Sequence, residues 1–114
     1  MSTVNFYAKG QTLQWRTAEI RGVGSTIAVW TPTTSTRVVL TGLDIGSGPG
    51  GTIRFTFGNL AGAKIVEYMM SASTSISPRF DGIESTVYDR SLFVSVSGGT
   101  SDGWRITAYG FELN

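Results

Sequence analysis

The sequence predicts an all-β chain, an antiparallel β-sandwich of eight or nine strands with jelly-roll wiring. Three observations predict it. Apolar residues recur with a period of two, as where Ile53, Phe55 and Phe57 alternate with Thr52, Arg54 and Thr56, the pattern of strands with one buried face. Gly, Pro and Ser/Thr clusters punctuate these segments roughly every 8–12 residues, the spacing of a sandwich. No segment carries a convincing helical period. Two sheets of short strands fit the length, and Greek-key connections account for loops of uneven size.

At the amino terminus Val4, Phe6 and Ala8 alternate with Asn5, Tyr7 and Lys9, and beyond Gly10 Leu13, Trp15 and Thr17 alternate with Gln14, Arg16 and Ala18. Leu13 and Trp15 share a face that reads as core-facing. The patterning is weaker here than elsewhere, so residues 1–28 read as amino-terminal strands or as an arm lying on a neighbour. Residues 29–114 read as the sandwich core of one domain. Gly22 and Gly24 precede a short strand from Thr26 to Trp30, closed by Thr31-Pro32-Thr33-Thr34-Ser35, because proline cannot donate to a central ladder.

Val38 to Ile45 is apolar on both faces at its start and one-sided at its end, as in a central strand leaving the core; Gly42 marks a bulge. Gly46-Ser47-Gly48-Pro49-Gly50-Gly51 is a hairpin connection into the strand carrying Ile53, Phe55 and Phe57. Gly58 to Gly62 turns the chain into Lys64–Met70, where helix competes but the length and the flanking Gly62 and Ser71 favour strand. Thr74, Ile76, Pro78 and Phe80 form one more strand, placed at an edge or at the end of its pairing by Pro78. Asp81 to Arg90 reads as an irregular link. The strongest hairpin follows. Leu92, Val94 and Val96 alternate with Phe93, Ser95 and Ser97, and after a Gly/Ser turn Trp104, Ile106 and Ala108 alternate with Arg105, Thr107 and Tyr109.

Composition narrows the chemistry. The 114 residues include no cysteine and no histidine, which removes disulfides, thiolate nucleophiles, the commonest zinc ligand and the commonest general base. A net charge of +1 gives no dominant field for nucleic acid or anionic lipid. No apolar run approaches the ~18 residues of a membrane-spanning helix. Met1 to Phe6 lacks the basic-then-apolar pattern of a secretion signal, an expectation of synthesis and folding in a cytoplasm.

Candidate catalytic, cofactor and metal sites are therefore read as none. The Gly46–Gly51 loop lacks the Lys-Ser/Thr ending of a phosphate loop and runs into a strand. Asp81, Glu84 and Asp89 lack the alternating acids of a calcium loop and read as solvated charges pairing with Arg79 or Arg90. The only lysines, Lys9 and Lys64, sit in no Ser-x-x-Lys motif. Aromatic side chains are the remaining handle: Phe6, Tyr7, Trp15, Trp30, Phe93, Tyr109 and Phe111 are the interface candidates, with Phe93 and Tyr109 on the face opposite the core. Phe111 and Leu113 either close the sandwich or dock on a neighbour.

One resemblance is carried by Val29-Trp30-Thr31-Pro32, Arg37 to Ile45, Gly51 to Phe55, Phe80-Asp81-Gly82-Ile83, Ser91 to Val96 and Trp104 to Glu112. Together these resemble the small β-sandwich structural proteins of tailed bacteriophages. The resemblance implies a virion protein without catalytic residues or cofactors, one that decorates or cements the capsid by binding the major capsid protein lattice, as a homo-oligomer and often a trimer. It implies no nucleic-acid or membrane partner. The alternative is a carbohydrate- or receptor-binding sandwich module of a phage fibre or tail, with an exposed Trp or Tyr stacking on sugar. Residues 1–28 lie outside the resemblance.

Overall fold

The computed structural model describes residues 13–20, 26–48, 50–58, 64–97 and 103–114. These hold nine strands and no helix: β1 (Gln14–Ile20), β2 (Thr26–Trp30), β3 (Arg37–Ser47), β4 (Gly51–Phe57), β5 (Lys64–Met70), β6 (Thr74–Ile76), β7 (Arg79–Glu84), β8 (Leu92–Ser97) and β9 (Trp104–Leu113). All pair antiparallel. One sheet runs β1-β9-β3 with β6 and β7 both on the far side of β3; the other runs β2-β8-β4-β5. This is the jelly-roll order, its sixth strand broken in two.

The break falls at Ser77-Pro78. Proline has no N–H for the ladder, but its carbonyl still accepts from the Leu43 N–H at 3.0 Å. Beyond it the chain resumes pairing with β3 as far as Glu84, so Asp81 to Glu84 is strand and the irregular link begins only at Ser85. Lys64–Met70 is strand, paired with β4. On β3 the register shifts between Leu40 and Gly42 against both of its long partners, which places the bulge at the position singled out by Gly42.

Two expectations change. The segments Leu92–Ser97 and Trp104–Leu113 are not a hairpin: β8 pairs β2 and β4, while β9 pairs β1 and β3 in the opposite sheet. The Gly46–Gly51 connection likewise crosses between sheets, from β3 to β4. Both pairs of strands alternate as hairpin strands would, because each faces the same core from opposite sides. Second, the inward residues of β1 are Ala18 and Ile20, whereas Leu13 and Trp15 are 56% and 62% exposed.

Between the sheets lie Trp30 and Trp104, both fully buried, with Leu40, Leu43, Ile45, Ile53, Phe55, Leu92, Val94 and Ile106. At one end of this core the Glu112 carboxylate on β9 accepts from Trp30 Nε1 on β2 at 2.9 Å, from Thr33 N and Oγ1 at 3.1 and 2.6 Å, and from Thr36 Oγ1 at 3.1 Å. Arg16 on β1 completes the cluster, 3.8 Å from Glu112 Oε2 and 4.7 Å above the Trp30 ring. Desolvation pushes the Glu112 pKa up, but the hydrogen bonds from Thr33, Trp30 and Thr36 outweigh it and hold the carboxyl below its ordinary value. A carboxyl depressed on folding contributes stability that is present above its unfolded pKa and lost as pH falls through the folded one.

Gly110 sets how closely β9 approaches β3, since a Cβ there would stand 2.0 Å from the Val39 carbonyl oxygen. Any side chain must push the two strands apart.

Gly110→Ala is therefore expected to destabilise the fold by about 3 kcal/mol, read by urea unfolding. Glu112→Gln is expected to cost about 2 kcal/mol at neutral pH, and the gap from wild type should narrow as pH drops below the ordinary glutamate range. A gap independent of pH contradicts the assigned role of the charge.

Candidate interaction face

The outward side of the first sheet gathers the most unusual side chains. Trp15 on β1 stands opposite Tyr109 on β9, Tyr109 opposite Gly42 on β3, and Gly42 opposite Arg79 on β7. These four positions make one row across the strands. Because Gly42 has no side chain, Arg79 lies flat over it: a Cβ on Gly42 would meet Arg79 Cδ at 2.9 Å. The guanidinium reaches 5.2 Å from the centre of the Tyr109 ring, a cation–π contact.

Asp44, in the next row, ties the group together. Its Oδ2 accepts from the Tyr109 hydroxyl at 2.6 Å and its Oδ1 from Arg79 Nη2 at 3.3 Å, while Arg79 Nη1 donates to the Leu43 carbonyl at 3.0 Å. The Tyr109 hydrogen bond, then that of Ser77, lower the Asp44 pKa against an opposing desolvation, and Arg79 adds a lesser lowering. The same bond to Asp44 raises the Tyr109 phenol. Asp44 and Arg79 keep 38% and 58% of their side-chain surface in solvent. Beside the row Thr17 faces Thr107, which in turn faces Asp44, and a shallow hollow there is edged by Glu19 and Arg105.

The seven aromatic candidates part company. Trp15 and Tyr109 come together on this face. Trp30 and Phe111 are interior, 0% and 2% exposed: Trp30 sits in the core under Arg16, and Phe111 pairs across the strands with Val39. An inward-facing β2 residue and a residue opposite a fully buried valine have no surface to offer a partner in this fold. Phe93 is half-buried on the outward side of the second sheet, between Ala28 and Thr56. Phe6 and Tyr7 lie outside the described residues.

Asp44, Arg79 and Gly42 were not singled out as site residues by the sequence. A glycine within a long apolar strand was their signal, but it registers as a bulge unless the arginine of a strand far along the chain is known to cross it.

Glu84, Asp89 and Glu67 are engaged within the chain. Glu84 pairs with Arg37 at 3.7 Å, neither with Arg79 nor with Arg90, and Asp89 Oδ1 accepts from Ser35 N at 2.7 Å. Glu67 holds Arg54 and Lys64 at 3.0 and 3.3 Å. Among the described residues no three His, Cys, Asp or Glu side chains converge as a metal site would require.

No protein-family model matches the chain, and no curated protein matches it. Among solved structures, a chain of the Bacillus endospore appendages, described as a novel family of disulfide-linked pili, is similar at 11% identity and a TM-score of 0.50, with 91% of each chain covered. The likeness is one of fold over nearly the whole of both chains. A chain of the infectious bursal disease virus Gx strain aligns at 12% identity and a TM-score of 0.29, over 90% of this chain and 28% of the other.

Removing the Tyr109 hydroxyl takes away the strongest support of the Asp44 charge. In Tyr109→Phe the Asp44 carboxyl is expected to titrate higher than in wild type, followed by its side-chain NMR resonance; an unchanged titration contradicts the assigned hydrogen bond.

Proposed function

We propose that this chain is a non-enzymatic structural subunit of a virion, a decoration or cement protein that binds the major capsid lattice and stabilises the head. The observation that carries the reading is the use made of charge. Glu19, Asp44, Glu67, Glu84 and Glu112 each meet a cation of the same chain, and Asp89 caps a loop. Carboxylates spent in this way brace a rigid body, whereas general acid–base work needs them aimed at a substrate.

A rigid jelly roll suits a repeating assembly, where many copies of a modest contact gain avidity on the order of 10²–10⁴. The fold likeness to a pilus-forming chain supports a subunit role. That protein's pili are described as disulfide-linked, and a chain with no cysteine must instead assemble by non-covalent contacts. We assign attachment to one face that includes the amino-terminal residues 1–9, with like chains meeting around a symmetry axis, as a trimer in the resemblance. The protein is made in the host cytoplasm and ends on the capsid surface, with no cofactor, nucleic acid or membrane.

Co-sedimentation with particles stripped of this protein tests the proposal. Saturation on the order of hundreds of copies per particle is expected, and deletion of residues 1–9 should weaken attachment while leaving the unfolding midpoint unchanged. A handful of copies moves the protein to a vertex, fibre or tail; no binding removes the capsid role.

A further inference from the structure

We propose that the row Trp15, Tyr109 and Arg79, with Asp44 in the row beside it, is a binding site for a neutral oligosaccharide of at least two pyranose rings, laid across the strands from β1 to β3. The site is separate from the attachment segment assigned above.

Size argues for a sugar over a protein partner. Along β1, β9 and β3 Trp15 is the large apolar side chain exposed among the described residues; Leu13 precedes β1, and the other exposed ones, Met69, Val87 and Tyr88, lie on β5 and in the link after β7, whose Tyr88 stacks on Arg37 at the start of β3. A stable protein interface needs about 800 Å² per partner with an apolar centre. One indole and one leucine fall well short of that. A single indole face does match the C–H face of one pyranose, a contact that the amphipathic character of tryptophan favours.

Charge argues the same way. Asp44 and Arg79 neutralise each other, so the row attracts no net charge, yet both remain open to solvent. Tyr109, Arg79 and Ser77 donate to the Asp44 carboxylate, three of the roughly four bonds a carboxylate can accept, which leaves one acceptor position open. Arg79 Nε makes no bond among the described residues, whereas Nη1 and Nη2 are held by Leu43 O, Pro78 O and Asp44. The pair thus offers acceptor and donor together in a fixed plane, which is what vicinal hydroxyls require.

Spacing completes the match. Trp15 and Asp44 lie two strand intervals apart and two residues offset along the strands, roughly 12 Å between backbones, a span that a disaccharide with its outer hydroxyls covers. One ring stacks on Trp15 and the next meets Arg79 and Asp44, with the Thr17 and Thr107 hydroxyls alongside. The groups are already held in place: Arg79 is seated in the gap at Gly42 and Tyr109 is locked by Asp44. Little ordering entropy remains to oppose binding.

The test is a titration of the full chain with cellohexaose, maltohexaose, chitohexaose and β-1,4-galactohexaose, followed by tryptophan fluorescence and by the indole N–H resonances. Trp30 and Trp104 are fully buried, so a change in emission and a shift confined to one indole identify Trp15. At least one neutral hexaose is expected to bind saturably, with Trp15→Ala weakening it about tenfold or more and Arg79→Met weakening it while Trp15 still shifts. Trp15 is exposed, so its loss leaves the fold and the particle attachment intact. Failure of all four hexaoses to shift the Trp15 indole overturns the proposal, as does binding that survives Trp15→Ala. Binding confined to an anionic control, a hyaluronan hexasaccharide, overturns the neutral-ligand assignment.

Discussion

One carboxylate holds the sandwich shut. Glu112 stands near the end of the last strand and gathers the indole of β2, two threonines of the connection between β2 and β3, and the arginine of β1. Strands of both sheets and a crossing loop therefore share a single charged acceptor. Hydrogen bonds to a charged group are the stronger kind, and here the group is almost out of solvent, its side chain only 9% exposed. With Gly110 two residues earlier fixing the approach of β9 to β3, the final strand sets both the spacing within its sheet and the closure between sheets.

Much of this was legible beforehand, and the failures have physical causes. Ile53, Phe55 and Phe57 declare a half-buried strand by themselves, because period-two alternation reports directly which face meets the core. The same alternation is silent about partners. Val94 and Ile106 both point into the core, one from each sheet, so β8 and β9 read as a hairpin although their connection spans the sandwich. On β1 the larger residues Leu13 and Trp15 outweighed Ala18 and Ile20 when the buried face was assigned from hydrophobicity alone. The structure reverses that choice, since Arg16 follows the inward side and covers Trp30.

The interaction face was only half readable. Trp15 and Tyr109 stand out in any sequence as aromatics on strands. That they are neighbours follows from the pairing of β1 with the last strand, a contact between residues 94 positions apart. Asp44 and Arg79 reach Tyr109 through β3 and β7, and nothing local announces them.

The resulting molecule divides its surface by task. Its acids and arginines mostly brace the body, and one aromatic row is left open to solvent. The two proposals are compatible: a subunit that attaches through its amino-terminal segment would leave that row free to bind. Electron cryomicroscopy of decorated particles tests this arrangement most directly. The account predicts jelly-roll density repeated over the capsid lattice, with the β1-β9-β3 face and Trp15 turned to solvent. Density that buries this face against the shell or a neighbouring subunit, or that shows no jelly roll on the lattice, would contradict it.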